Sequence, residues 1–135
     1  MRSESMRAET AGEFGEKACV EFLKKKKYKI ITTNFSCNFG EIDIIASDKK
    51  ELVFVEVKTR RRTDHGNPSE FVDIRKLSRM TRTAELFIKL YPSGLSPRFD
   101  VIEVIIGTNG DKFETLSINH IKGIIFDSEA ALKMR

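Results

Sequence analysis

Only two cysteines, Cys19 and Cys37, occur among the 135 residues of this chain. Their spacing is not that of a CxxC pair, which argues against a disulfide framework and against a structural zinc site. The chain also lacks any apolar run of about 18 residues, and its polar N-terminus has no apolar segment like that of a signal peptide. These absences predict a cytoplasmic protein that does not enter a membrane.

The composition is that of an ordinary globular protein, with 40% hydrophobic and 33% charged residues. The length predicts one domain covering residues 1–135, in which the polar residues 1–9 are expected to be disordered. A net charge of +4 mildly favours polyanionic partners. The excess positive charge is concentrated in three places, which are Lys24–Lys27, Lys58–Arg62, and the group Arg75, Arg79 and Arg82.

The segment Gly40–Arg62 has the pattern of a hydrophobic β-hairpin. Two apolar stretches, Glu41–Ala46 and Leu52–Lys58, flank the turn-forming residues Ser47–Lys50. The second stretch is almost unbroken β-branched and aromatic sequence, which is typical of a central strand covered on both faces.

Acidic residues interrupt both strands of this predicted hairpin. A two-residue turn places Asp43 directly opposite Glu56, whereas a four-residue turn places Glu41 there. In both registers two carboxylates face each other, and they repel unless a cation lies between them. That cation can be Lys58 or a divalent metal ion.

A first helix is predicted from Ala11 to about Lys26, with Thr10 as its N-cap. Its apolar residues recur at spacings of three and four and indicate one face packed on a sheet. Glu16 lies at the border of that face, while Glu13 and Glu21 point further away. Glu16 is therefore the helix acid best placed to reach inward.

The remaining pattern predicts one more helix and three more strands. The strands are expected at Tyr28–Phe35, Arg98–Ile106 and Lys112–Ser117, and the helix at Asp73–Tyr91. A short helix is possible in the tail Ile118–Arg135.

Two groups of arginines are candidate nucleic-acid contacts. Arg60, Arg61 and Arg62 leave the end of a strand beside the acidic residues, where they are well placed to hold phosphates. Arg75 and Arg79 lie on the polar face of the second helix. The alternative in both cases is a solvated charged surface.

The acidic residues have the chemistry of a site for a hard divalent ion. Mg²⁺ takes oxygen ligands and keeps several waters, so Asp43, Glu56 and the carbonyl of Val57 are a sufficient ligand set. The ion would polarise a scissile phosphate, while Lys58 would orient the attacking water or stabilise developing charge. Glu16 could hold a water of the metal shell. The alternative is a buried salt-bridge network of Glu56, Lys58 and Asp43.

Five motifs lie in an order and spacing that resemble the uncharacterised bacterial YraN family. They are G-x-x-G-E (Gly12–Glu16), N-F-x-C-x-x-G-E-I-D-I-I-A (Asn34–Ala46), L-V-F-V-E-V-K-T-R (Leu52–Arg60), G-x-P-x-E (Gly66–Glu70) and R-F-D-V-I (Arg98–Ile102). That family is similar in turn to archaeal Holliday junction resolvases and to the wider PD-(D/E)XK nuclease superfamily. The resemblance extends over roughly residues 11–105.

This resemblance implies an α/β fold with a restriction-endonuclease-like αβββαβ core, in which helices flank a mixed central sheet. It makes Glu16 the helix acid, Asp43 the motif aspartate, and Glu56 and Lys58 the E-x-K pair. Ser36 stands where much of the family is expected to have arginine. This departure leaves open whether position 36 contributes to phosphate binding.

The activity implied by the resemblance is that of a Mg²⁺- or Mn²⁺-dependent endonuclease acting on DNA, including branched DNA. A junction resolvase makes paired cuts, so a C2 homodimer is expected if a junction is the substrate. A fold does not by itself establish an activity. The second hypothesis is therefore a nucleic-acid-binding or scaffold protein that keeps the nuclease fold without turnover.

Overall fold

The computed structural model describes residues 8–62 and 74–124. Their helices and strands, in chain order, are α1 (Ala11–Lys25), β1 (Lys29–Cys37), β2 (Gly40–Asp48), β3 (Glu51–Arg61), α2 (Ile74–Leu90), β4 (Ser96–Asn109) and β5 (Lys112–Ile121). The strands form one sheet in the order β1-β2-β3-β4-β5. The β3–β4 pair is parallel and the other three pairs are antiparallel. The predicted αβββαβ core with a mixed sheet is thus confirmed, and β5 extends it at one edge.

The two helices cover opposite faces of the sheet. Val53 and Val55 belong to the hydrophobic cluster under α1, whereas Leu52 and Phe54 belong to the cluster under α2. This alternation follows from the period of two along a strand. It confirms that β3 is a central strand buried on both faces.

The β2–β3 hairpin has the register that a two-residue turn predicts. Asp48 pairs with Glu51 across the turn, and Lys49 has a positive φ of 55°. The last pair of this ladder is Ile44 with Val55. Asp43 and Glu56 are the next residues of the two strands, so the turn that places them opposite each other is the one observed.

The regular alternation of β2 is interrupted near Asp43. Ile42 and Ile45 are three residues apart, yet both pack in the cluster under α2. Ile44 packs in the cluster under α1. The β1–β2 register is regular on both sides of Asp43, with Thr33 opposite Ile44 and Phe35 opposite Ile42. Asp43 lies just beyond the last residue pair of the β2–β3 ladder.

Several sequence predictions lie wholly or partly outside the described residues. They are the disorder of residues 1–9, of which 1–7 are not described, the motif at Gly66–Glu70, and most of the tail 118–135. The start of that tail is strand rather than helix, because β5 continues to Ile121.

Among the residues that the structure describes, no helix is long and apolar enough to cross a lipid bilayer.

A buried polar network involves Arg98 and Asp100 of the R-F-D-V-I motif. The Asp100 carboxylate is fully buried and accepts hydrogen bonds from the Arg98 guanidinium at 2.9 Å and from the Gly123 amide at 2.9 Å. His120 Nε2 lies 2.7 Å from Asp100 Oδ2. Burial alone would raise the pKa of Asp100, but the hydrogen bonds from His120 and Arg98 lower it to about 2. The arginine and aspartate of the R-F-D-V-I motif therefore have a structural role, as members of this buried network.

The approach of α1 to β3 depends on Gly15. A Cβ atom at this position would lie 1.9 Å from Thr59 Oγ1 and 3.0 Å from Thr59 Cβ. The helix begins with a capping box, in which the Thr10 side chain and Glu13 bond each other's backbone amides. The expected N-cap is thus confirmed, and the absence of a side chain at Gly15 lets the helix pack closely on the sheet.

We expect Gly15→Ala to lower the free energy of unfolding by about 1–3 kcal/mol, because the new methyl group overlaps a β-branched side chain with few rotamers. Gly12→Ala is the matched control, since the nearest atom to its added Cβ is 4.0 Å away. This control should stabilise the helix by about 0.5–1 kcal/mol. Urea unfolding measures both changes, and equal effects at the two positions would contradict the close approach.

Candidate active site

Asp43 lies between two open cavities on the two sides of the sheet. Its Oδ2 atom accepts a hydrogen bond of 2.7 Å from the backbone amide of Val57. The α2-side cavity has a volume of about 210 Å³ and includes Glu41, Asp43, Glu56, Lys76 and Arg79 in its lining. The α1-side cavity, of about 510 Å³, includes Glu16, Asn34, Asp43, Val57 and Thr59. Asp43 is thus accessible from both sides.

The environment of Asp43 disfavours its negative charge. Burial and the nearby carboxylates of Glu56, Glu16 and Glu41 together raise the pKa of Asp43 to about 7, although the Val57 amide opposes this shift. A nearby cation stabilises the charge of a carboxylate in such surroundings more than it stabilises that of a carboxylate in water. The repulsion expected between Asp43 and Glu56 is therefore present in the structure.

Glu56 is held by two lysines. Its side chain is 7% exposed, and Oε2 contacts Lys76 Nζ directly and Lys58 Nζ at 3.4 Å. Burial lowers the pKa of Lys58, and the neighbouring charge of Lys76 lowers it further. Burial also opposes the charge of Lys76, but its hydrogen bond to Glu56 outweighs this and raises the pKa of Lys76. Glu56 thus takes part in an ion-pair network with Lys58 and Lys76, whereas the network expected from the sequence was Glu56, Lys58 and Asp43. Binding of a divalent ion at Glu56 stays a prediction.

Lys76 was not identified from the sequence, although a signal for it exists. It lies four residues before Met80, which is buried, and therefore on the helix face that packs on the sheet. The sequence analysis placed Arg75 and Arg79 on the polar face of the second helix and made no assignment for Lys76.

Glu16 reaches the site from α1 with the help of Asn34. Its Oε1 atom accepts a hydrogen bond of 2.7 Å from Asn34 Nδ2. Asn34 has a positive φ of 56°, a conformation that asparagine tolerates better than most residues. Glu16 and Asp43 line the same cavity, so the inward-facing position expected for Glu16 is confirmed. The contribution of Asn34 was not predicted.

The arginines at the end of β3 interact with the sheet. Arg60 Nε lies 3.6 Å from Glu103 Oε2, and the Arg61 guanidinium lies 5.7 Å from the centre of the Phe113 ring. These contacts with β4 and β5 account for part of the positive charge that the sequence analysis assigned to phosphate binding. Nucleic-acid binding by Arg60 and Arg61 stays a prediction.

The other three predicted nucleic-acid contacts have exposed side chains. Arg79 lines the α2-side cavity together with Lys76. Arg62 follows β3, and Arg75 lies in the first turn of α2. The structure thus brings Arg79 to the acidic residues, while the roles of Arg62 and Arg75 stay predictions.

The oxygen atoms available at this site suit a hard divalent ion. Only two of the candidate ligands are carboxylates, which is fewer than in a site formed entirely by protein ligands. Within residues 8–62 and 74–124, no group of three or more His, Cys, Asp or Glu side chains is arranged to hold a metal. The candidate set is therefore Asp43, Glu56 and the carbonyl oxygen of Val57, all of them oxygen donors that suit Mg²⁺ or Mn²⁺ with additional water ligands. The Lys76 ammonium group contacts one of these donors, Glu56 Oε2, from the α2 side.

The chain is similar to proteins of one family over most of its length. The model of "Uncharacterised protein family UPF0102" matches residues 15–104. A UPF0102 protein of Caldanaerobacter subterraneus subsp. tengcongensis is 44% identical over 117 residues, which cover 83% of this chain and 91% of that protein. UPF0102 proteins of Caldicellulosiruptor saccharolyticus and of Clostridium botulinum strain Hall are 46% and 43% identical over 82% and 81% of this chain, and over 92% and 90% of their own lengths. These matches confirm the YraN-like resemblance.

We expect Asp43→Asn to become more stabilising as the pH rises. The pKa of Asp43 is about 7 in the folded protein, against roughly 3.9 in an unfolded chain, so the folded state binds more protons between these values. The contribution of Asp43 to stability is therefore present below about pH 4 and is lost as the pH rises through 7. Asparagine avoids this loss and keeps an acceptor for the Val57 amide.

The difference in free energy of unfolding between Asp43→Asn and the wild type should shift by on the order of 3 kcal/mol in favour of the variant from pH 4 to pH 8. Urea unfolding in EDTA measures it. Asp111→Asn, at an exposed position in the β4–β5 turn, is the matched control and should show no comparable trend. A pH-independent difference for Asp43→Asn would show that the environment of Asp43 is not strained.

Proposed function

We propose, from the premise that this chain belongs to the uncharacterised protein family UPF0102, that it is a divalent-metal-dependent endonuclease-like protein acting on DNA. The observation that best supports this is the Asp43 carboxylate, whose pKa is raised to about 7 beside Glu56 and Glu16. Strongly perturbed carboxylates in a cavity are typical of catalytic sites. The αβββαβ order and the E-x-K pair on a central strand are those expected of the PD-(D/E)XK superfamily.

The ion-holding residues in this proposal are Asp43, Glu56 and Val57. A bound Mg²⁺ or Mn²⁺ ion supplies a Lewis acid that polarises the scissile phosphate and lowers the pKa of water. The backbone amide of Val57 donates to the Asp43 carboxylate and so fixes its orientation. The carbonyl oxygen of the same residue is the third candidate ligand, so the positions of these two ligands are linked.

Lys58 and Glu16 act on the water and on the phosphate. Lys58 is partly buried, and its ammonium group lies beside Glu56, one of the proposed ligands. From this position it stabilises negative charge that develops on the phosphate. Glu16, oriented by Asn34, holds water on the α1 side of Asp43.

The substrate contacts follow from the positive charge around the α2-side cavity. Arg79 is exposed at the edge of this cavity, where a guanidinium can bind a phosphate through two parallel hydrogen bonds. The remaining predicted contacts, Arg60, Arg61, Arg62 and Arg75, extend from the end of β3 and the start of α2. Branched DNA and a C2 homodimer come from the resemblance to junction resolvases and are part of the proposal.

One observation favours a second function, that of a nucleic-acid-binding scaffold without turnover. Both lysines that reach Glu56 contact its Oε2 atom. A carboxylate neutralised in this way is less available to an ion. Under this alternative, the basic residues bind DNA and the acids serve only to pair with the lysines.

Cleavage assays separate the two functions. Four-way junctions, flaps and duplexes are incubated with the protein in Mg²⁺, Mn²⁺ or EDTA, and the rates are compared with those of Asp43→Ala and Lys58→Ala. For the endonuclease we expect metal-dependent cleavage that falls at least about 100-fold in both variants, because each removes charge stabilisation at the phosphate. Asp111→Ala, remote in sequence and exposed, should cleave at the wild-type rate. DNA binding without cleavage, unchanged in Asp43→Ala and Lys58→Ala, would support the scaffold instead.

A further inference from the structure

The cations around the acidic residues are distributed unevenly. Lys76 and Lys58 both contact Oε2 of Glu56. Asp43 instead receives its hydrogen bond from the neutral amide of Val57. Glu56 thus has two lysines at its carboxylate. Asp43 lies among the carboxylates of Glu56, Glu16 and Glu41, and Lys76 interacts with it electrostatically. A more balanced distribution requires a cation that both carboxylates share.

Lys76 and Lys58 differ in how easily they can leave Glu56. Lys58 is two residues from Glu56 on the same strand, so its Cα position is fixed by the pairing of β3 with β4. Lys76 comes from α2, and its side chain is 33% exposed and lines the open α2-side cavity. Rotation about its side-chain bonds can move the ammonium group from the carboxylate into this cavity without any change in the backbone.

We propose that Lys76 is an exchangeable counter-ion of Glu56, which occupies the position of the divalent ion and is displaced when the ion binds. This inference rests on the proposed function, because it requires an ion at Asp43 and Glu56. The cationic partner of Glu56 changes from an ammonium group to a doubly charged ion that Asp43 also contacts. Lys76 therefore lowers the affinity of the site for the ion and stabilises the protein while the ion is absent.

The test measures Mn²⁺ binding by calorimetry in the wild type, Lys76→Met and Lys76→Arg at one pH and ionic strength. Methionine keeps much of the side-chain volume without the charge, so we expect it to tighten Mn²⁺ binding at least about fivefold, since it removes a cation that competes for the same oxygen. Arginine keeps the charge and should bind Mn²⁺ within about twofold of the wild type. Lys89→Met removes the same charge from the exposed end of α2, roughly 20 Å along the helix, and should also match the wild type.

Thermal unfolding gives a second measurement that does not depend on activity. Without Mn²⁺, Lys76→Met should have a lower Tm than the wild type, because Glu56 loses its closest cation. Mn²⁺ should raise the Tm of this variant more than that of the wild type, since an ion that binds the folded state more tightly stabilises it more. The same comparison shows directly whether the variant is folded.

The outcomes distinguish this inference from the function on which it rests. Tighter Mn²⁺ binding in Lys76→Met than in Lys89→Met supports the exchange, also where the wild type binds too weakly to measure. Measurable binding that is equal or weaker in Lys76→Met overturns the exchange but leaves the proposed metal site standing. No Mn²⁺ binding by any of the four proteins overturns both.

Discussion

The hydrogen bond from the Val57 amide to the Asp43 carboxylate is the contact on which the arrangement of the site depends. The ladder between β2 and β3 ends at the pair Ile44–Val55. Beyond it, the Val57 amide donates to the side chain of Asp43 instead of to a main-chain carbonyl of β2. A strand amide without a partner would be costly inside the sheet, so this contact stabilises both the amide and the orientation of the carboxylate. It also holds a negative charge next to Glu56, away from bulk water. The electrostatic strain at Asp43 therefore follows from how the hairpin ends.

The two helices act on this strained site with charges of opposite sign. Close packing of α1, which the missing side chain of Gly15 permits, brings Glu16 towards Asp43 and adds to the repulsion. The α2 helix brings Lys76 to Glu56 from the other face. Because each charge comes from a different element, their balance depends on the packing of both helices rather than on β3 alone. The E-x-K pair is thus one part of a site that three layers of the fold build together.

Much of the fold could be predicted from the sequence because the relevant signals are local. The alternation of Val53, Phe54 and Val55 identifies a strand buried on both faces, and the length of the turn fixes the register that brings Asp43 opposite Glu56. The partners of these acids could not be found in the same way. Lys76 reaches Glu56 across 20 positions of sequence, and its contact depends on where α2 lies on the sheet. The contacts of Arg60 and Arg61 with β4 and β5 could not be predicted for the same reason, since strand order and not local pattern sets these partners.

Comparison of Asp43 with Asp100 indicates which of these acids is structural. Asp100 is fully buried, yet Arg98, His120 and the Gly123 amide surround its carboxylate and lower its pKa to about 2. Its negative charge is compensated in the folded state, which is what a role in stability requires. Asp43 is more exposed, but burial and the nearby carboxylates of Glu56, Glu16 and Glu41 raise its pKa to about 7. An arrangement that costs stability near neutral pH is not explained by folding, whereas a ligand for a cation gains affinity from the same repulsion. The contrast within one sheet therefore separates Asp100, whose charge is compensated by its partners, from Asp43, whose charge the folded structure disfavours.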